Sequence, residues 1–484
     1  MSYVLGIDIG STSTTAAVVR LQGGTWAPPE AVRLAPPEHP VPSVLLMSAN
    51  RALTVGDPDE YGEPIDSGRV ARGFSRRIGD EVPLLVGGEA CSAQALTAML
   101  AMWVVERVVT QEGGHPEWIV LSHPAGWGSY RRHLLHDALW EVGLADVTLL
   151  PAPITAAESH AAHGFTGHTL AVYALGGNSF EPSVVGRARP TGFELRGCLA
   201  DAEPLGGADF DEALVQHVRA GLGRELADTA DPLVRQAVLG LRRECTRAKA
   251  ELTAATTADV LVRLPRRQAR VPVTRAEFEE LIRPAVRVTV DGLTHTVRSC
   301  GLAPEQLDGV LLVGGSARIP LVRELLAAQF PVPVEVEADP QVTIAAGAAL
   351  AGCQVLDRRH GHRPPPRPPV MRPPRRGFRP GDPSARPRRG SGRPDPEAVR
   401  SGRDLDRYGQ PTDRYADESP QLPPRPPIRI TPLELPMRVA SRLAPGNKAI
   451  LLGLAVLALV VGVVLTVAFG PDALTKASPA GPGR

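Results

Sequence analysis

Four glycine-containing turns, each next to an apolar run, constrain the fold of this chain more than any other feature. They lie near residues 10, 176, 206 and 314, and strand-like and helix-like runs alternate around them through residue 356. Such alternation predicts an α/β domain. Because glycine tolerates positive φ and carries no Cβ, backbone N–H groups in these turns can approach an anion closely. The sequence therefore predicts an α/β architecture of two halves around a cleft.

Two of the turns join apolar strands into hairpins, at residues 4–19 and 171–185. Asp8 stands at the end of the first apolar run, where a carboxylate can hold a hydrated magnesium ion. Taken alone, each turn is also typical of an ordinary β-hairpin that binds nothing. The turn residues are Gly10, Ser11, Thr12 and Ser13 in the first hairpin and Gly176, Gly177, Asn178 and Ser179 in the second.

The other two turns stand next to predicted helices. Gly206 and Gly207 precede a helix start, and backbone N–H groups at a helix N-terminus favour anions. Gly314 and Gly315 end a buried strand, where a flat ligand can lie against the backbone. A further helix, at residues 239–252, carries Lys249, the only lysine of residues 1–356.

Two pairs of histidines have the HxxH spacing of some metal sites: His133 with His136, and His160 with His163. Histidines three apart can share one face of a helix, but no cysteine or third ligand lies near either pair, so the sequence argues against a metal site. The five cysteines are widely spaced and are interpreted as reduced thiols of a cytosolic domain.

The joint order of these motifs resembles the nucleotide-binding domain of the DnaK-like, seventy-kilodalton heat-shock protein family, within the actin-like ATPase superfamily. The resemblance covers nearly all of residues 1–356 and implies a two-lobed actin-like ATPase fold that closes on ATP or ADP with Mg²⁺. HPAGWG at 123–128 is similar to the family's VPAYFN turn. The more specific motifs are GIDIGSTST at 6–14, LGGNSFE at 175–181, LGGADFD at 205–211 and VGGSARIP at 313–320.

The resemblance also implies a set of site residues. Asp8 is expected to hold Mg²⁺ through water. The expected nucleotide contacts are Gly10, Ser11, Thr12, Ser13, Gly176, Gly177, Asn178, Ser179, Gly206, Gly207, Lys249, Thr253, Gly314, Gly315, Ser316 and Arg318.

Three positions depart from the family pattern where its polar catalytic groups are expected. Ser75 stands in place of a lysine, Ala152 in place of a glutamate and Ala174 in place of an aspartate. Phosphoryl transfer depends on such groups for positioning and electrostatics, and losing one commonly costs about a hundredfold or more in rate. We therefore expect ATP hydrolysis at or near background with weaker nucleotide binding, unless Arg76 substitutes for the lysine. On the adenine side, Thr246 and Ala250 replace a glutamate and an arginine.

The composition changes after residue 356. Residues 357–448 hold 21 prolines and 21 Arg or Lys against 10 Asp or Glu, a net charge of +11, whereas residues 1–356 carry −11. The segment is predicted to be a disordered, basic Pro/Arg-rich tether. Its few aromatic residues argue against nucleic acid as a partner.

An uncharged apolar run follows the tether at residues 449–469. Its 21 residues are enough to span a bilayer, and the basic residues before it predict a cytoplasmic N-terminal domain. Residues 470–484 are then a short extracytoplasmic tail, and the protein is a single-pass protein of the cell membrane. Because the tether occupies the place of the family's peptide-binding domain, client binding in cis has no visible site.

The preferred prediction is a membrane-anchored, DnaK-like ATP-binding protein that acts as a nucleotide-responsive or purely structural interaction module, with an unidentified protein partner. One alternative is an active ATPase that assists folding or envelope assembly through a partner. A sugar kinase or a filament-forming actin relative shares the first hairpin, but it fits the motifs at 205–211 and 313–320 less well.

Overall fold

The computed structural model describes residues 2–35, 40–58, 66–188, 192–226, 231–265 and 267–361. The predicted tether beyond residue 361, the apolar segment 449–469 and the tail 470–484 lie outside the described residues. The helices are α1 (Ala93–Glu112), α2 (Ser129–Glu141), α3 (Ala152–Ala162), α4 (Gly207–Leu222), α5 (Pro232–Ala254), α6 (Arg275–Ser299), α7 (Pro320–Gln329) and α8 (Thr343–Gly361).

The strands fall into two larger sheets and three small ones. They are β1 (Tyr3–Ile9), β2 (Ser13–Gln22), β3 (Thr25–Trp26), β4 (Glu30–Ala31), β5 (Val41–Pro42), β6 (Val44–Met47), β7 (Leu53–Val55), β8 (Val70–Arg72), β9 (Leu84–Val86), β10 (Glu89–Cys91), β11 (Trp118–His123), β12 (Val147–Pro151), β13 (Thr169–Leu175), β14 (Phe180–Arg187), β15 (Phe193–Cys198), β16 (Thr257–Arg263), β17 (Gln268–Thr274), β18 (Gly309–Val313) and β19 (Val334–Val336).

The two larger sheets have the same topology. In the first, the strand order is β3-β2-β1-β11-β12, and β4 and β5 also pair with β2. The second has the order β15-β14-β13-β18-β19. In each sheet a hairpin pairs the central strand with its antiparallel neighbour, while the two later strands run parallel to it. The chain therefore builds one α/β unit twice, which confirms the predicted mixed α/β class and is consistent with a two-lobed actin-like ATPase fold.

Two helices cross at close range where the halves meet. Helix α3 follows the last strand of the first sheet and packs against the second sheet, whereas α8 follows the last strand of the second sheet and packs against the first. Gly347 of α8 lies where they cross, and a Cβ on it would lie 1.6 Å from the carbonyl oxygen of Thr155. Only glycine allows the two helices to approach this closely.

Buried aliphatic residues explain why the predicted elements form. Strand β1 is buried through its first five residues, and β18 is buried throughout, as expected for strands covered on both faces. The described parts of residues 20–95 form the end of β2, the short strands β3 to β10, two short 3₁₀ helices and the start of α1. By length and composition, helix α1 of the described part is apolar enough to cross a membrane, and half of that stretch is buried inside the domain.

Candidate functional site

A cavity of about 800 Å³ is lined by residues from both larger sheets. Its wall includes the carboxyl ends of β1, β13 and β18, where three of the predicted turns begin. All the predicted site residues line it except Gly206 and Gly207. The structure therefore brings together segments that are more than 300 residues apart in the chain.

The turns of the two hairpins have the same geometry. The N–H of Gly10 donates to the carbonyl of Ser13 at 3.0 Å, and the N–H of Gly176 donates to the carbonyl of Ser179 at 2.9 Å. Among the described residues, the N–H groups of Thr12 and Asn178 at the two tips have no hydrogen-bond partner. Paired, unused N–H donors of this kind suit the oxygens of a phosphate chain.

The two hairpin tips touch each other across the cavity. A Cβ on Gly177 would lie 2.5 Å from the methyl carbon of Thr12, so the contact depends on the missing side chain. Arg76 also crosses the cavity, because its Nη1 donates to the carbonyl of Asn178 at 2.6 Å. Beside it, the short Ser75 hydroxyl donates to the carbonyl of Gly10 at 3.3 Å.

Two carboxylates face the cavity beneath the hairpin tips. Burial raises the pKa of Asp8 to about 6, although the Ser122 hydroxyl donates to one of its oxygens. Burial, followed by the negative charge of Asp8, raises the pKa of Glu181 to about 7. The oxygen atoms of these two carboxylates are the kind of ligand that Mg²⁺ prefers.

Glu181 was not among the predicted site residues. It lies directly opposite Ala174 in the antiparallel pair of β13 and β14, so the two side chains share one face. The position that lacks a carboxylate on one strand therefore has one on the neighbouring strand. Its place two residues after the second turn, in LGGNSFE, was the available sequence signal.

The turn at residues 314–315 is joined to the turn of the second hairpin through one backbone carbonyl group. Gly314 has a φ of 93°, and a Cβ on it would lie 2.4 Å from the carbonyl oxygen of Leu175. The hydroxyl of Ser316 donates to the carbonyl of Gly176 at 2.9 Å. The N–H of Gly207 donates to the same carbonyl at 3.0 Å. These contacts fix the relative positions of three turns.

The N-terminus of α4 is directed at the second hairpin. The N–H groups of Gly207 and Ala208 donate to the carbonyls of Gly176 and Gly177, and the N–H of Gly206 donates to Asp209. Gly206 and Gly207 therefore pack against the turn of the second hairpin and do not line the cavity. A nucleotide contact by them stays a prediction.

Lys249 lies in the cavity wall, but its ammonium group already has protein partners. Nζ donates to the carbonyl of Gly207 at 2.8 Å and lies 2.9 Å from an Asp211 carboxylate oxygen. Burial raises the pKa of Asp211, while the positive charge of Lys249 acts against this rise. In this structure Lys249 fixes the start of α4 as well as bordering the site.

The three departures from the family pattern lie together in the same cavity. Ser75 belongs to the short 3₁₀ helix Phe74–Arg77, Ala152 begins helix α3, and Ala174 lies near the end of β13. Thr246 and Ala250 line another part of the wall, on α5.

The turn HPAGWG brings a buried histidine to the edge of the cavity. His123 is 3% exposed, and burial lowers its pKa to about 4, so the imidazole is neutral. Its Nδ1 lies 2.8 Å from the carbonyl of Pro124, its ring stacks on Trp127, and Nε2 has no partner among the described residues. No local pattern in the sequence predicted this arrangement.

The second HxxH pair contacts a distant acidic residue. Nδ1 of His160 and Nδ1 of His163 lie 2.7 and 3.0 Å from the two carboxylate oxygens of Glu337. Hydrogen bonding from His160 lowers the pKa of Glu337. Within the described ranges no group of three or more His, Cys, Asp or Glu side chains is arranged to hold a metal ion.

Comparison with known proteins gives a consistent result. The Hsp70 protein family matches residues 75–362, which is more than half of the chain. A chaperone protein HscA homolog of Acidithiobacillus ferrooxidans is 29% identical over 369 residues, and the match covers 72% of this chain and 57% of that protein. The homolog of Bordetella petrii is 30% identical over 366 residues with the same coverage. The chain thus spans a little over half the length of the curated relatives it matches.

Proposed function

Because the chain belongs to the Hsp70 family, we propose that its described domain binds ATP or ADP with Mg²⁺ in the cavity and hydrolyses ATP at or near the background rate. The carrying observation is the convergence of three glycine turns on one cavity of about 800 Å³. A cavity of this volume is large enough for a nucleotide. The unused N–H groups of Thr12 and Asn178 would contact phosphate oxygens.

The two half-buried carboxylates fit a magnesium ion. Asp8 and Glu181 both have raised pKa values because burial disfavours their charge. These two carboxylates would hold a hydrated Mg²⁺, whose charge would offset theirs. In the bound complex the metal would supply Lewis-acid stabilisation of phosphate charge, while Ser122 would keep Asp8 oriented.

Hydrolysis at or near background is proposed because Ser75, Ala152 and Ala174 line the same cavity. Ala152 and Ala174 cannot hydrogen-bond an attacking water, and the uncharged Ser75 hydroxyl, which donates to the carbonyl of Gly10, cannot neutralise charge that develops on a transferring phosphoryl group. Binding is less affected, since the backbone cradle does not depend on those side chains. Calorimetry with ATP and single-turnover hydrolysis of γ-labelled ATP test the two parts separately. Turnover above background that Asp8→Ala abolishes would refute the proposal of an inactive site.

A slow but genuine ATPase is the second candidate, and two observations favour it. Glu181 supplies a carboxylate opposite Ala174, and Arg76 carries a cation beside Ser75 to the second turn. If the enzyme is active, Glu181→Gln and Arg76→Ala should each reduce single-turnover hydrolysis by about a hundredfold. Arg77→Ala is the matched control, because Arg77 contacts Asp80 outside the cavity. Equal rates for wild type and all three variants would argue against this candidate.

We further propose that residues 449–469 anchor the protein in the cell membrane, with the described domain on the cytoplasmic side and residues 357–448 as the tether. The support is the uncharged apolar run and the basic residues that precede it. The whole chain should stay in the membrane pellet after alkaline extraction, and a variant lacking residues 449–469 should not. Release of both proteins would contradict the proposal.

We propose that the anchored domain binds a protein partner at the membrane. If nucleotide changes the cavity, a partner bound to the domain should respond to ATP. Affinity capture of the whole chain from detergent-solubilised membranes, with and without ATP, tests this, and Asp8→Ala serves as the control. A partner whose recovery depends on ATP in the wild type but not in the variant supports a nucleotide-responsive module. A partner recovered equally under all conditions indicates a structural one.

A further inference from the structure

Helix α2 carries four exposed rings along one side, which we call the aromatic face: Tyr130, His133, His136 and Trp140. The other side of the helix packs into the core beside the first sheet. Tyr130 and Trp140 are each 64% exposed, and both imidazoles are exposed as well. At about 100° per residue, the four rings fall within an arc of about 120° on the helix. Exposed aromatic side chains that share one surface are typical of binding sites.

The spacing of the rings matches an extended, proline-rich segment. His133 and Trp140 are seven residues apart, which is about 10 Å along a helix. In the polyproline II conformation every third residue lies on the same side, at intervals of about 9 Å. Two prolines with the spacing Pro-x-x-Pro can therefore contact both rings at once, which is the way that proline-rich segments bind aromatic surfaces.

Glu141 adds a negative charge at the end of the aromatic face. Its side chain is exposed, and within the described ranges it forms no ion pair. The free carbonyl groups at the C-terminus of α2 also favour a cation at this position. An arginine that follows or precedes the prolines would thus be attracted to this end of the helix. The aromatic face therefore fits a proline-rich segment that contains arginine.

The chain has a segment of this chemistry directly after helix α8. Residues 363–369 read RPPPRPP, so that Arg363 and Arg367 stand among five prolines, and Pro366 and Pro369 have the required spacing. The charges are complementary on a larger scale as well, because residues 357–448 carry +11 and residues 1–356 carry −11.

Helix α8 ends near the edge of the first sheet at which helix α2 ends. The Arg359 guanidinium lies 4.0 Å from the ring centre of Trp118, at the start of β11. The neighbouring strand β12 begins at Val147, and the N–H of Gly143 donates to the carbonyl of Trp140 at 2.9 Å. Four residues span at most about 14 Å, and adjacent strands lie about 5 Å apart. Residues 362–369 span about 25 Å in polyproline II, so they can reach the aromatic face.

We propose that residues 363–369 dock on the aromatic face of α2 in an extended conformation. The prolines cover the rings, and an arginine lies beside Glu141. The segment that follows the domain is then held against it, and the aromatic face is covered by the chain itself.

Fluorescence anisotropy with a labelled peptide of residues 362–370 tests the proposal on the whole chain in detergent. The double variant Arg363→Glu/Arg367→Glu should bind the peptide at least about fivefold more tightly than the wild type. The reason is that the wild-type segment competes from the same chain, at an effective concentration of about a millimolar. Equal binding by the two proteins, or no binding of the peptide to either, would overturn the inference.

The chain offers a matched control for the segment, because PPRPP occurs a second time at residues 423–427. Arg425→Glu/Arg429→Glu introduces the same charges there and should bind the peptide as the wild type does. A gain of affinity in this variant, and not in Arg363→Glu/Arg367→Glu, would show that another segment covers the face and would overturn the assignment.

Two further variants, made in the Arg363→Glu/Arg367→Glu protein, test the surface. Trp140→Ala should weaken peptide binding about tenfold or more, as expected for a central aromatic contact. Leu239→Ala is the matched control, because Leu239 is 63% exposed on α5, and it should leave the affinity unchanged. The same affinity after Trp140→Ala as before it, or equal losses in both variants, would overturn the inference.

Discussion

Replacing the Asp8 carboxylate with a neutral amide should stabilise the ligand-free protein at neutral pH, because the fold holds this carboxylate near that of Glu181. Burial raises the pKa of Asp8 from 3.8 to about 6. At a pH well above both values, this difference corresponds to about 3 kcal/mol of lost stability. Because the side chain is partly exposed at the cavity wall, we expect about 2 kcal/mol from Asp8→Asn. For a domain of this size that is about 3 °C in Tm.

The pH dependence has a definite sign. A carboxyl group whose folded pKa is raised costs no stability below pH 3.8, where it is protonated in both states, and its full cost is present above about pH 6. The advantage of Asp8→Asn should therefore be about twice as large at pH 8 as at pH 5. The Ser122 hydroxyl can still donate to the asparagine oxygen, so no new unpaired group arises.

Thermal denaturation of the whole chain in EDTA and detergent, followed by circular dichroism, measures this effect. Asp137→Asn, on the exposed side of α2, is the control and should leave Tm unchanged at both pH values. Millimolar Mg²⁺ with ADP should raise the Tm of the wild type more than that of Asp8→Asn. A lower Tm for Asp8→Asn than for the wild type at pH 8 without ligand would refute the reasoning.

Three further changes test contacts that position the site. Gly347→Ala should destabilise the domain by about 3 kcal/mol or more, because its Cβ would overlap a carbonyl of α3, whereas Gly240→Ala, in open space on α5, should raise Tm slightly. Gly177→Ala should weaken ADP binding about tenfold in calorimetry, because its Cβ would push Thr12 away. Unchanged affinity would contradict the contact between the two hairpin tips. Glu337→Gln should lower Tm at pH 7, because a hydrogen bond from His160 of α3 lowers the pKa of the Glu337 carboxyl group. The difference in Tm should shrink as the pH falls below 4.5. A difference that does not depend on pH would contradict this role of Glu337.

Local sequence patterns predicted the elements that depend on local chemistry. The hairpin expected at residues 4–19 is formed by β1 and β2, and the helix expected at residues 239–252 lies within Pro232–Ala254. The helix begins earlier than predicted because Asp231 caps its first turn. Hydrophobic runs and helix caps involve only a few neighbouring residues, so they can be recognised in the sequence.

The contacts that define the cavity are non-local and were harder to predict. The contact of the second HxxH pair with Glu337 joins residues more than 170 positions apart. Glu181 gains its place in the site from strand register, which pairs it with Ala174. The direction of the α4 N-terminus depends on the carbonyls of the second hairpin. None of these follows from periodicity, because each requires knowing which elements become neighbours.

The charges that remain in the cavity explain how it keeps its fold with so many polar positions changed. Removing one member of a buried charged group leaves its partner unpaired, which usually costs far more than removing both. Here Ser75 lacks the implied cation, while Ala152 and Ala174 lack the implied carboxylates, so opposite charges are absent together. Near the hairpin tips the charged groups include Asp8, Glu181 and the Arg76 guanidinium, whose positive charge opposes the rise that burial causes in the pKa of Glu181. With both carboxylates ionised these three groups carry one more negative than positive charge, and a magnesium ion can offset that excess.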